Sequence, residues 1–389
     1  MSAAEVLAGT AFALTGEANG ASGSFAVWGR GTHSSFDGRN AGLSLDGKVT
    51  TGMLGADYAR DRSLVGLALS QSRGEGSYSG SGSGRVESSL TAAIPYAAVQ
   101  ASSRLKLWGV AGHGSGEVKL TPTDQSTMTA DMNWTMAAAG ARSDLVPSKS
   151  EGPALAVVSD AMWVRTESEK TAGLAAASAD VTRLRLGLEG SFAVVLDGGR
   201  SLTPRLETGL RHDGGDAETG FGVELGGGLA WVDPRLGLSL DVEGRGLLAH
   251  EADGLRDRGY SASLVFDPTL ETQRGLSLHL RYEIGGPAVG GLDALFAAAP
   301  LESRTGAEAT GRWTTEAAWG FPVFRNRFTA SPHTGVGLSE GARDYTLGWR
   351  FSLEGRDKPD LSFGARATRR ESDGMSPEHA VKVEVQATW

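Results

Sequence analysis

In Leu276-Ser277-Leu278-His279-Leu280-Arg281-Tyr282-Glu283-Ile284 the apolar residues take every second position, and His279, Arg281 and Glu283 stand between them. Wound as a helix, the stretch would carry charge on all sides. Extended, it has one apolar and one charged face, because successive side chains of a strand point in opposite directions. The pattern recurs. Leu236, Leu238, Leu240 and Val242 alternate with Gly237, Ser239, Asp241 and Glu243, and Arg245 follows on the polar side. Tyr345, Leu347, Trp349, Phe351 and Leu353 alternate with Thr346, Gly348, Arg350, Ser352 and Glu354. The last run sets Val381, Val383, Val385, Ala387 and Trp389 against Lys382, Glu384, Gln386 and Thr388.

Turn-forming clusters separate such runs, among them Asp197-Gly198-Gly199, Asp213-Gly214-Gly215-Asp216, Asp233-Pro234, Asp267-Pro268 and Ser372-Asp373-Gly374. Counting between them gives about eighteen strands of roughly 9 to 14 residues, and about 9 to 11 tilted residues cross a bilayer. Ser77 to Gly84, nearly all Gly and Ser, and Pro287 to Arg304 read as longer loops. Ala3 to Gly16 is the one candidate for a helix or plug. The organisation expected is therefore a linker or pore-threading segment over 1–20 and one domain over 21–389.

Composition narrows the class. Glycine outnumbers proline 56 to 13 with no collagen period, which suits strands and close backbone contacts better than helices. The absence of cysteine excludes disulfides, thiolate metal sites and cysteine nucleophiles. A net charge of −9 argues against a nucleic-acid partner. No apolar run reaches the roughly 18 residues of a membrane helix, and mean hydropathy is −0.19. Barrel strands escape that test, since lipid-facing and lumen-facing residues alternate. Met1 to Thr10 contains Glu5 and no basic region, so it does not read as a signal peptide.

A soluble two-layer sandwich also alternates. Here the apolar face mixes Ala and Gly with Leu and Val, which fills a dry core poorly but meets lipid without cost. The opposite face carries both signs of charge close together, as in Arg183, Arg185, Glu243, Arg245, Arg281, Glu283, Arg350, Lys382 and Glu384. A water-filled lumen accommodates them. Nine tryptophans are spread over many runs, either as interfacial belts or as ordinary core residues. The expected fold is all-β, a closed antiparallel transmembrane barrel of 12 to 18 strands with 18 the best count.

Phe25-Ala26-Val27-Trp28-Gly29-Arg30-Gly31, Gly52-Met53-Leu54-Gly55-Ala56-Asp57-Tyr58 and Val65-Gly66-Leu67-Ala68-Leu69-Ser70 resemble the opening strands of the autotransporter β-domain. Pro95-Tyr96, Trp108-Gly109 with Gly112 and Gly114, and Leu202-Thr203-Pro204-Arg205-Leu206 extend the resemblance along nearly the whole chain. It implies a bacterial outer-membrane translocator that anchors and conducts an upstream passenger, with outer-membrane lipid and the barrel assembly machinery as partners. Val381, Val383, Val385 and Ala387 with Trp389 would then be the assembly signal, or simply a closing strand. Val6 to Leu14 would be the pore-threading segment, or a disordered terminus. Family members have twelve strands, and the count here is larger. Three rivals stand beside this reading, a porin-like or adhesive barrel without passenger, a barrel with hydrolase activity near His212, and a soluble β-sandwich adhesin.

Enzymatic signals are few. The seven histidines include no His-Glu-x-x-His pair, and no G-x-S-x-G elbow occurs. Asp213, Asp216 and Glu218 beside His212 could hold calcium or activate water, and a solvated hairpin turn explains them equally well. No cofactor, no metal and no catalysis are expected.

Overall fold

The computed structural model describes residues 24–40, 43–79, 82–123, 126–171, 176–216, 219–251, 258–268, 274–285, 311–353, 360–373 and 377–388. The threading segment 1–20, the Pro287–Arg304 loop, Glu218 and Trp389 lie outside them. Among the described residues eighteen strands follow one another: β1 (Ser24–Asn40), β2 (Leu43–Arg60), β3 (Ser63–Ser79), β4 (Ser83–Gln100), β5 (Leu105–Pro122), β6 (Met128–Val146), β7 (Gly152–Ser168), β8 (Ala177–Leu196) and β9 (Arg200–Gly215). Then come β10 (Gly220–Asp233), β11 (Leu238–His250), β12 (Arg258–Phe266), β13 (Gly275–Gly285), β14 (Gly311–Val323), β15 (Phe328–Ser339), β16 (Ala342–Leu353), β17 (Asp360–Ser372) and β18 (Glu378–Thr388).

Each strand pairs antiparallel with its neighbours in sequence, and β18 pairs back onto β1, so one sheet closes on itself. A two-layer sandwich is excluded by that topology. Closure satisfies the backbone polar groups of every strand at once, which hydrocarbon surroundings demand. The seam sets Ala26 opposite Thr388, so β1 begins and β18 ends at the same mouth, here the termini end. Two turns at that end are tight: Asp61, at positive φ, helps join β2 to β3, and Gly198 and Gly199 reverse the chain between β8 and β9 at φ 84° and 79°. The longest connection, β13 to β14, belongs to the far end.

The outer surface is apolar over most of its circumference. Leu54 is 68% exposed, Leu206 63% and Leu347 69%, and Leu67, Leu186, Leu225, Leu278 and Val381 are exposed likewise. An uncovered patch that large is incompatible with water and is what lipid contact needs. Toward the termini end Phe321, Trp349, Phe351 and Phe363 form a chain of ring contacts on this face, with centroids 6.0 to 6.4 Å apart, an aromatic girdle of the kind that marks a lipid interface.

Two expectations need correction. Strands β1 to β9 run 16 to 20 residues, longer than the turn signals suggested, and Ser77–Gly84 is the tip of a hairpin whose strands continue to Ser79 and from Ser83. Gly and Ser there are strand residues because both neighbours supply ladder bonds. On the outer face of β3 the exposed residues pass from Val65, Leu67 and Leu69 to Gln71, Arg73 and Glu75, so this tall sector rises beyond the apolar belt at the far end. The tryptophans also divide. Trp313 and Trp319 face outward at 48% and 57% exposure, whereas Trp28 faces the interior at 4%.

Candidate functional site

The inner wall has two sectors of different chemistry. Over β6 to β11 it is a lattice of paired charges laid on a glycine floor. Register puts Asp160, Arg185, Arg211 and Gly222 in one row across β7 to β10, and Glu189, Glu207, Gly226 and Arg245 in another across β8 to β11. Arginine and glutamate side chains need space to lie along the wall, and the missing Cβ atoms at Gly187, Gly209, Gly222 and Gly226 leave it.

Arg185 is the hub, its side chain 2% exposed. Its Nε donates to Glu224 at 2.8 Å, its guanidinium also donates to Glu207, and Asp160 lies 3.7 Å away. Arg211 donates to Asp213 at 2.5 Å and to Glu224 at 3.3 Å. Arg183 donates to Asp213 at 2.7 Å, and His250 Nε2 sits 3.4 Å from the same carboxylate. Arg245 donates to Glu207, and Arg142 to Glu189. Toward the termini end the lattice borders a trough of about 550 Å³ over Gly226, Gly228 and Gly244, edged by Arg205, Glu207 and Glu243.

Over β1 to β7, nearer the termini end, the inner wall is apolar: Trp28, Ala68, Ile94, Tyr96, Val110, Met136, Ala138 and Met162 form one buried cluster. The expectation of a uniformly polar lumen is corrected here. Within the cluster Trp28 Nε1 donates to Tyr96 Oη at 3.4 Å, and Tyr96 donates to Asp57. The other carboxylate oxygen of Asp57 has no hydrogen-bond partner among the described residues. Small residues again make the room. A Cβ on Gly66 would collide with Tyr96 and with Asp57, and one on Gly140 would lie 2.5 Å from the Trp108 indole nitrogen.

Of the charged residues singled out by alternation, Arg183, Arg185, Glu243 and Arg245 stand together on the inner wall of β8 and β11. Arg281 and Glu283, 2.5 Å apart, occupy the inner face of β13 opposite the exposed Leu278 and Leu280. Arg350 and Lys382 lie on the inner faces of β16 and β18, alternating with exposed Trp349, Val381 and Val385. The side chains of Glu384 and Ala387 lie outside the described residues. Val383 is half-buried.

The acidic cluster around His212 comes apart. Adjacent strand residues point to opposite faces, so Asp213 joins the inner lattice while His212 stacks on exposed Phe221 outside, ring centroids 4.3 Å apart. The histidine that meets Asp213 is His250, from two strands away. Alternation missed Glu207, Arg211 and Glu224 because Gly209, Gly222 and Gly226 take positions on their own, inward side and thin out the charged stripe, while Thr208 and His212 break the apolar one. The shared parity of Glu207, Gly209, Arg211 and Asp213 was the available signal.

The family described as "Autotransporter beta-domain" matches residues 27–236, more than half of the chain. No curated protein sequence matches. Among solved structures, the β domain of the Bordetella autotransporter BrkA is similar at 18% identity, covering 59% of this chain and 93% of that one, with a TM-score of 0.32. CdiB from Acinetobacter baumannii is similar at 8% identity, covering 94% of this chain and 60% of that one, TM-score 0.47. BauA, the ferric preacinetobactin receptor of the same organism, is similar at 9% identity, covering 95% of this chain and 80% of that one, TM-score 0.45.

Proposed function

The chain belongs to the autotransporter β-domain family and resides in the bacterial outer membrane, and from that premise we propose that it anchors and conducts a passenger polypeptide joined upstream of Ser24. One observation carries the reading. Ala26 of β1 pairs with Thr388 of β18, so anything preceding Ser24 starts at the termini mouth of a closed wall, and the lumen is its route to the far mouth. The longest connection, β13 to β14, lies at the far end, and in such barrels the longer connections face the cell exterior.

The lining suits passage. Arginines and carboxylates of the β6–β11 sector neutralise one another through short ion pairs among the described residues, so this part of the wall offers a moving chain paired rather than bare charge. Work is physical, with no covalent step, and the chain is no enzyme on this reading. Lipid contacts the outer apolar belt, and the assembly machinery reads Val381, Val383, Val385, Ala387 and Trp389.

The test places an epitope tag at Met1 behind a signal peptide and treats whole cells with protease. The proposal expects loss of the tag while the barrel stays intact. A tag cleaved only after the outer membrane is broken contradicts it, and ion conductance in bilayers without tag exposure would instead favour a diffusion channel.

A further inference from the structure

Beyond the apolar belt at the far end, the outer faces of β2 to β5 carry polar side chains in rows fixed by the register. The row next to Leu69 holds Gln71, Thr91 and Ser115. Above it stand Thr50, Arg73 and Ser89, and then Lys48, Glu75, Glu87 and Lys119. A cleft of about 410 Å³ lies among them. Arg73 is the lowest of its three cations and is exposed. Unlike Arg185 and Arg211 inside, it has hydroxyl residues beside it on both neighbouring strands and no ion pair among the described residues. Of the carboxylates, Glu117 is held by Lys119 at 2.7 Å, and Glu75 and Glu87 face one another one row farther from the lipid.

We infer that the cleft around Arg73 binds the phosphorylated sugar headgroup of a glycolipid in the outer leaflet, with phosphate on Arg73 and Lys48 and sugar hydroxyls on Gln71, Ser89 and Thr91. The inference rests on the far end being the cell exterior and is independent of passage through the lumen. An exposed guanidinium at a lipid boundary is a fork for phosphate oxygens, and the hydroxyl and amide side chains beside it offer a sugar both donors and acceptors. A phospholipid headgroup would use the cations and little else.

Height brings the two together. Leu69 is the last apolar residue on the outer face of β3, and Arg73 follows two outward positions later, about 10 Å farther up a tilted strand. Headgroups take up roughly 5 to 8 Å of each leaflet, and an arginine stem lies along apolar surface while its head stays in the polar layer. The cleft is thus continuous with the lipid-facing wall below it, and a lipid whose chains pack on Leu54, Leu67 and Leu69 carries its headgroup into that cleft.

The probe is lipid A, a glucosamine disaccharide with two phosphates, titrated into the refolded barrel in detergent and counted on the protein by native mass spectrometry. Arg73→Gln should weaken binding about tenfold, the loss of roughly one charge-assisted hydrogen bond, and Lys48→Gln added to it should weaken it further. Both side chains are exposed, so heat-modifiable mobility should stay unchanged. Arg104→Gln, in the exposed turn before β5 at the termini end, should leave binding as it was. Lipid A stripped of phosphate should bind the unaltered barrel as weakly as lipid A binds the double variant, an arm that needs no substitution. Undiminished binding by the double variant, an equal loss in Arg104→Gln, or equal affinity for the stripped lipid overturns the inference. Equal affinity for phosphatidylglycerol overturns the choice of a glycolipid. The chain has no cysteine, so Gly82→Cys reports orientation: an impermeant maleimide should label it on intact cells, and labelling only after the outer membrane is broken overturns the outer-leaflet assignment. The tag at Met1 decides the conduit separately.

Discussion

The indole of Trp28 on β1 occupies the volume that a Cβ on Gly55 of β2 would fill, the two residues facing each other in register across the wall. The same device recurs with Tyr96 on Gly66 and His333 on Gly348. Large inward rings are folded flat onto the wall, and the glycine opposite is what permits it.

Gly55→Val should therefore destabilise the barrel by the roughly 1–3 kcal/mol typical of overpacking or more, read as a lower temperature for loss of its heat-modifiable mobility. Adding Trp28→Ala to it should recover part of the loss, because the clash is with that ring. Equal transition temperatures for the single and double variants would refute the contact.

Arg185→Ala leaves Glu224 with Arg211 alone and Glu207 with Arg245 alone, breaks the hub of the buried lattice, and should cost up to roughly 3–5 kcal/mol. Arg205→Ala, whose pair with Asp241 is about two-fifths exposed on both sides, should cost under about 1 kcal/mol. Urea unfolding in detergent micelles, followed by gel mobility, compares the two. Similar costs would mean that the lattice is no more than solvated wall.

Leu186→Arg on the outer face should destabilise by about 2–4 kcal/mol if that residue meets the bilayer centre. Arg281→Gln on the inner face should change stability by under about 1 kcal/mol. Refolding into lipid vesicles measures both, and a harmless Leu186→Arg would contradict lipid contact there.

Trp389→Ala should reduce the amount of barrel assembled in cells several-fold without shifting the thermal transition of the fraction that does assemble. The ratio of folded to unfolded bands on unheated gels reads the first quantity. A shift in the transition with normal assembly would instead assign Trp389 an ordinary packing role.

Period-two alternation made the barrel legible because lipid and lumen impose opposite chemistries on neighbouring residues, as in Leu184-Arg185-Leu186. Strand number followed from turns. Strand length did not, since Gln71 to Ser79 is polar on its outer face and a sequence cannot say that the wall there stands above the lipid. The charged inner residues of β8 and β11 could be picked out, whereas Arg211 and Glu224 belong to strands where glycine takes the neighbouring inward positions, Gly209, Gly222 and Gly226, and no charged stripe is left to read. The apolar inner cluster was hidden for a different reason: Trp28, Tyr96 and Met136 obey no simple pattern, and only the register that sets them over small residues explains their place.

The most direct test of the account is a series of single spin labels along β8, from Leu184 to Ser191, in the barrel refolded into bilayers. The account predicts that labels at 184, 186 and 188 are accessible to oxygen dissolved in lipid, and that those at 187, 189 and 191 are accessible to a water-soluble nickel complex. Accessibility that is uniform along the strand, or alternates in the opposite phase, would contradict a wall with lipid outside and a polar lumen within.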